Sequence, residues 1–195
     1  LNTKLKKELE EKYDNVKVII PSKNIGISAG YNLGIRESKT NYVKLTSADI
    51  NLTDKCLEDL EDCISKIKNF ALLGPTYDDE TTYKNYRIWK PAKLATNFTE
   101  KVFEEYEITE VDFIENDFLI NKKSLEDIGF FDENFFMYYE TMDLCKKTRS
   151  ANKKIYACKK IKFMHYGASS IDPKFSDLYS LNRSWHYNWS KFYYF

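Results

Sequence analysis

Strand-like segments alternate with segments of helical period through the first half of this chain, which predicts an α/β fold on a mainly parallel central sheet with crossover helices. Two further observations support that class. Polar turns, some rich in glycine, follow the strands at their carboxyl ends, where open α/β sheets gather ligands. The chain has 195 residues and is 43% hydrophobic, enough for one domain with its own core, read here as spanning 1–195.

The elements follow in order. Leu5 and Leu9 stand four apart, so residues 3–13 read as a short amphipathic helix. Residues 16–20 (VKVII) read as a strand stopped by Pro21, and a helix is expected from near Ser28 to about Ser38. Residues 41–46 (NYVKLT) form the next strand. Thr53 is placed to cap a helix whose apolar positions are Leu57, Leu60, Ile64 and Ile67. Residues 70–74 read as a short buried strand, 76–109 as a polar, tyrosine-rich segment, and 111–120 as a strand. Ser124 to Asp127 opens a short helix ended by Gly129, residues 130–139 form a loop, and Glu140 begins a helix of three turns. Residues 154–163 read as the last strand, and 176–195 as an aromatic C-terminal helix. No repeat or low-complexity segment interrupts the series.

Composition narrows the function. Lys plus Arg and Asp plus Glu both number 30, so no global field draws in nucleic acid, and a phosphate-bearing ligand needs local cations or a metal. Aromatics make up 16% of the chain, which suits sugar-stacking surfaces and a bulky core equally. Cys56 and Cys63 would lie about 10 Å apart on a helix, too far to bond. Cys145 and Cys158 are isolated, so all four cysteines read as reduced thiols of a cytosolic chain.

Four stretches carry chemistry. NIGISAGYNLG, from Asn24 to Gly34, offers glycines and a helix N-terminus to a phosphate, or is only a turn before a helix. SADIN places Asp49 just past a strand, where it could hold a divalent cation or cap a turn. MHYGASS places His165, one of two histidines, where a strand ends; its imidazole suits a transition metal or a buried hydrogen bond. MYYETMDLC sets Glu140 and Asp143 on one face of a helix start, where they could take a proton from a hydroxyl or merely complement the helix dipole.

Taken in order, NxGxxxGxNxG, the strand ending at Asp49, GFFDENFFMYYExxDLC and HxGxS resemble the family 2 glycosyltransferases, most closely the rhamnosyltransferase-like branch, over roughly residues 15–170. The final RSWHYNW resembles the C-terminal helix of that branch. The resemblance implies a GT-A fold and an inverting transfer of a sugar from a nucleoside-diphosphate donor to a hydroxyl of a glycan or lipid-linked saccharide, in bacterial cell-surface polysaccharide synthesis. By that correspondence Asn24, Gly26, Gly30, Asn32 and Gly34 stand on the donor side. Asp132 and Glu133 belong to the loop before the catalytic helix. Asp49 and His165 would hold Mn²⁺ or Mg²⁺.

Two departures stand out. Thr141 occupies the position of the family's base, and a threonine hydroxyl is no base near neutral pH, which leaves Glu140 or Asp143 for that role. Ser47 stands where an acid or an Asn is usual. The family's opening strand–helix–strand has no counterpart, and Leu1 falls just after it, so the chain reads as truncated at its N-terminus. These features also fit a non-catalytic GT-A-like binding domain. A sugar-1-phosphate nucleotidyltransferase shares such a sheet, but the segment from Gly129 to Cys145 argues against it. Seven of the last eleven residues are Phe, Trp or Tyr, which suits packing on the domain or contact with a membrane interface, the latter at the cytoplasmic face.

Overall fold

The structure, a computed structural model, describes residues 3–75, 86–87, 107–115, 117–162, 164–165 and 176–195. Its elements are α1 (Thr3–Lys12), α2 (Gly26–Glu37), β1 (Tyr42–Lys44), β2 (Ile50–Asn51), α3 (Asp54–Lys66), β3 (Phe70–Pro75), β4 (Tyr86–Arg87) and β5 (Ile108–Glu110). They continue with β6 (Phe113–Ile114), β7 (Leu119–Asn121), α4 (Lys122–Leu125), α5 (Glu140–Ser150), β8 (Lys154–Cys158), β9 (Met164–His165) and α6 (Ser176–Tyr194). Of the tyrosine-rich 76–109 segment only β4 and residues 107–109 fall among the described residues.

The main sheet has five strands in the order β1-β7-β3-β8-β5. It is mixed rather than mainly parallel: β3 and β8 pair parallel, while β1–β7, β3–β7 and β5–β8 are antiparallel. The strand–helix alternation does set direction, because β1, β3 and β8 all run the same way. It does not set adjacency, because β7 returns between β1 and β3 and β5 closes an edge.

Side-chain alternation along the strands separates two cores. Leu72, Ile120, Ile155 and Ala157 face Ile35 of α2 and Leu144 and Cys145 of α5. Leu73, Leu119 and Cys158 face Cys56, Leu60 and Cys63 of α3. A register irregularity between Phe70 and Leu72 turns Phe70 toward the α3 side. The sheet is thus a middle layer, with the candidate site residues of α2 and α5 on one face.

Three expectations need correction. Residues 16–20 make no strand ladder: Glu10 takes the Val18 N–H at 2.8 Å and Lys6 donates to its carbonyl, so side chains of α1 hold this segment. The expected 111–120 strand breaks into β6 and β7 around Asp117, a buried acid at φ 44°. Cys63 and Cys158, 95 residues apart, are joined in a disulfide between α3 and β8; Cys56 and Cys145 are free and buried. The packing of α3 on the sheet creates this pairing, and cysteine spacing along the sequence does not show it. The disulfide also removes the thiol argument for a cytosolic location.

Other readings hold. Thr53 caps α3, its side chain accepting the Cys56 N–H at 3.2 Å, although Leu57 is 45% exposed and the cysteines take the buried stripe beside Leu60. Gly129 ends the α4 region at φ +76°, and α5 begins at Glu140.

Candidate active site

α5 starts without a side-chain cap. Tyr139 occupies the cap position at φ 65° and Tyr138 precedes it at φ 71°. Two successive left-handed non-glycine residues cost about 1–2 kcal/mol each, so surrounding packing must hold them. That packing comes from α6. Tyr187 lies edge-on to Tyr138 at 5.7 Å and tilted against Tyr139 at 5.6 Å, and Tyr194 tilts against Tyr139 at 5.4 Å. Ser190 donates to the Met137 carbonyl at 2.8 Å, and Phe136 stacks on His186 at 4.4 Å.

The resulting turn sends Glu140 inward. Its side chain helps line a cleft of about 540 Å³ with Phe113, Glu115, Tyr138, Thr141 and Arg183. Oε2 is closed off from solvent and has no hydrogen-bond partner among the described residues. Burial raises the Glu140 carboxyl above its usual range, and the Glu115 charge adds to this; main-chain N–H groups of Glu140 and Tyr138 pull the other way. Asp143 is differently placed. Its carboxylate pairs with Lys147 at 3.2 Å, and it does not line this cleft.

The charges of three acids from separate parts of the chain act on Tyr31 of α2. Burial first, then the charges of Glu140, Asp117 and Asp49, push its phenol up to about 12. Asp117 is paired with Lys44 at 2.5 Å, both side chains largely buried. Asp49 accepts from Ser47 Oγ at 2.5 Å, so the serine that replaces an acid orients the acid that remains. β2 pairs antiparallel with β9, setting Ile50 opposite His165, so the backbone brings position 165 beside Asp49. The His165 side chain lies outside the described residues. An aspartate and a histidine brought to adjoining backbone positions by this pairing are a donor set compatible with a divalent ion such as Mn²⁺.

The donor-side residues divide. Asn24 accepts the Gly26 N–H at 3.1 Å, and Gly26 sits at φ +82° where an added Cβ would lie 2.6 Å from the Phe136 carbonyl oxygen. Ile27 N–H donates to that same oxygen at 2.7 Å. Asn32 is buried and bonds both to the Phe131 backbone and to Glu133 Oε1, which also pairs with Arg36 at 3.2 Å. Asp132 accepts from Asn134 and from the Tyr193 hydroxyl. Gly26, Asn32 and Glu133 therefore join α2 to the 130–139 loop, Asp132 joins that loop to α6, and Asn24 closes the turn before α2. Gly30 and Gly34 face open space.

Residue-by-residue matching did not single out Tyr31, Glu115, Asp117 or Arg183. Three acids, Asp112, Glu115 and Asp117, set among the apolar residues of VDFIENDFLI were the available signal for Glu115 and Asp117.

Residues 3–156 match the family model for glycosyl transferase family 2. The chain belongs to that family. This family 2 chain is 24% identical over 165 residues to the low-salt glycan biosynthesis hexosyltransferase Agl10 of Haloferax volcanii, covering 78% of the chain and 52% of the relative. It thus spans about half the length of that curated relative. It also superposes on the crystal structure of GalNAc-T7 with UDP, GalNAc and Mn²⁺, at TM-score 0.64 and 18% identity, covering 83% of this chain and 35% of the other. The fold is GT-A, a mixed sheet flanked by helices.

Proposed function

We propose that the protein to which this chain belongs transfers a hexose or rhamnose, with inversion, from a nucleoside-diphosphate sugar to a hydroxyl of a glycan or lipid-linked saccharide. The observation that carries this reading is Glu140: a carboxylate at a helix start, with a shielded oxygen that has no described partner, in a cleft lined by aromatic rings. A raised carboxyl next to a bound hydroxyl is suited to general-base work, because its proton affinity approaches that needed at neutral pH. Thr141, at the family's base position, borders the same cleft, so Glu140 serves from one residue earlier. Asp143, tied to Lys147, is a structural acid of α5.

Asp49 and His165 would hold a divalent cation, Mn²⁺ or Mg²⁺; the Mn²⁺ bound in the GalNAc-T7 structure supports that choice. When bound, such an ion supplies charge neutralisation to a leaving diphosphate. Asn24, Gly26 and Asn32 act on the donor side by fixing the loop and helix, and the open flanks of Gly30 and Gly34 leave room for a ligand's approach. α6 turns Leu178, Leu181, Trp185, Trp189 and Phe192 outward on one stripe, which suits peripheral contact with a membrane carrying the acceptor. No helix among the described residues is long and apolar enough to cross one.

The test is transfer by the full-length protein from a panel of nucleotide sugars with Mn²⁺ or Mg²⁺, for wild type and Glu140→Gln. Transfer that disappears in the variant supports the reading. Donor binding without any turnover in wild type would replace it with the non-catalytic binding domain.

A further inference from the structure

The cleft at Glu140 continues onto α6. A second cleft of about 490 Å³ is lined by Tyr138, Ser180, Arg183, Ser184, Tyr187 and Asn188. It shares Tyr138, Arg183 and Tyr187 with the first. Ser180, Ser184 and Asn188 recur at four-residue spacing, as do Arg183 and Tyr187, so α6 presents them along one side as a row of hydroxyl, amide, phenol and guanidinium groups.

Charge is segregated along this groove. The acids, Glu115 and Glu140, lie in the first cleft, and among the described residues no acid lines the second. Arg183 is the only cation lining either among the described residues. Its Nε donates to the Tyr138 hydroxyl, and the guanidinium lies over the rings of Tyr138 and Tyr179 at 5.7 and 5.4 Å. No carboxylate among the described residues forms an ion pair with it. A guanidinium has five N–H donors, so the contacts with the Tyr138 and Tyr179 side chains still leave N–H groups for an anionic acceptor. Docking of α6 has further anchors besides Arg183: Tyr187 and Tyr194 on the Tyr138–Tyr139 turn, and Ser190, Tyr193 and His186.

We propose that the α6 cleft is an acceptor subsite for an anionic saccharide, with a carboxylate or phosphate on Arg183. A sugar ring packs on Tyr187, and its hydroxyls meet Ser180, Ser184 and Asn188. The reacting hydroxyl belongs to a further sugar unit near Glu140; this deepens the proposed transferase function and rests on it. The anion has two chemical sources, a uronic acid or a phosphate-bearing saccharide.

Direct binding to the full-length chain, followed by NMR titration, tests the subsite without turnover. The probes are cellobiose, cellobiuronic acid and glucose 1-phosphate. The anionic probe that matches the site binds about tenfold or more tightly than cellobiose, as a charge-assisted bidentate contact implies. Arg183→Gln erases that preference, Arg183→Lys keeps part of it, and Ser184→Ala weakens all three probes. Preference for cellobiuronic acid identifies the carboxylate source, and preference for glucose 1-phosphate the phosphate source. Equal binding of all three, or a preference that survives Arg183→Gln, overturns the subsite. Because the readout is binding, the preference persists in Glu140→Gln; loss of transfer alone bears on the transferase reading and not on this one.

Discussion

Asn32 and Phe131 exchange two hydrogen bonds: Asn32 Nδ2 donates to the Phe131 carbonyl at 2.9 Å, and the Phe131 N–H donates to Asn32 Oδ1 at 3.0 Å. A side-chain amide thereby imitates a strand pairing and fastens α2 to the loop leading to Glu140. Asn32→Ala leaves a buried N–H and a buried carbonyl unpaired, each a loss of about 1–3 kcal/mol. The expected outcome is a destabilisation of roughly 2–4 kcal/mol, read from the denaturation midpoint at unchanged m-value. A loss under 0.5 kcal/mol would mean that the loop is held elsewhere.

Glu140 and Asp143 are separated by one substitution each. Glu140→Gln lowers kcat by about 10²–10⁴, the usual worth of a general base. Asp143→Asn loses the Lys147 pair and some helix-start electrostatics, about 1 kcal/mol of stability, with kcat nearly kept. The wild-type rate falls as pH drops through the Glu140 pKa, at a value above the ordinary 4.5 because burial favours the neutral acid. The same shift fixes the sign for stability. The folded state binds this proton more tightly than the unfolded chain, so ionisation weakens the fold as pH rises past 4.5 and through the raised value. Glu140→Gln, a permanent mimic of the neutral acid, is therefore at least as stable as wild type at pH 7 while inactive. Thermal melts beside rate–pH profiles measure both.

Local pattern made most helices legible: the Thr53 cap, the Gly129 stop and the Glu140 start all follow from short-range chemistry. Strand adjacency was not legible, because β7 reaches its place between β1 and β3 through contacts at long sequence separation. The same limit hid the Cys63–Cys158 bond. Within the site, the order of motifs marked Asp49 and Glu140, but not Tyr31 or Glu115, whose places depend on three-dimensional convergence. Asn32 stood out in the donor-side motif and Glu133 in the loop before the catalytic helix; the structure bonds the two to each other.

The three glycines of α2 differ in what a methyl group would meet. Gly26 combines φ +82° with a Cβ position 2.6 Å from a main-chain oxygen, so Gly26→Ala must displace either the helix start or the 136 loop. It should lose both stability and kcat. Gly30 and Gly34 lie inside the helix with open space around the Cβ position, so Ala at either adds about 0.5–1 kcal/mol. A rise in donor KM together with greater stability in Gly30→Ala would place the donor against that turn; an unchanged KM would remove Gly30 from the donor side.

Thiol counting checks the disulfide. Under denaturing, non-reducing conditions the chain should show two reactive thiols, Cys56 and Cys145, and four after reduction. Closing so long a loop stabilises by about 4–5 kcal/mol on the chain-entropy account, so reduction should lower the melting temperature. Four thiols before reduction would refute the bond.

Lys44 and Asp117 form an ion pair whose side chains are 15% and 0% exposed. Burial lowers the Lys44 pKa, and the Asp117 charge opposes that shift. Removing one partner strands the other charge: Lys44→Met should cost roughly 3–5 kcal/mol. Asp117 sits at φ 44°, a region that Asn tolerates, so Asp117→Asn removes charge without forcing the backbone. The double variant Lys44→Met/Asp117→Asn leaves no buried charge and should recover most of the stability lost in Lys44→Met. A double-mutant cycle on denaturation midpoints gives the coupling. Because Asp117 also bears on Tyr31 beside Glu140 and Asp49, the double variant should lower the Tyr31 pKa from about 12, readable by ultraviolet difference titration. Additive losses with an unmoved tyrosine titration would show that the pair acts apart from the acids gathered around Tyr31.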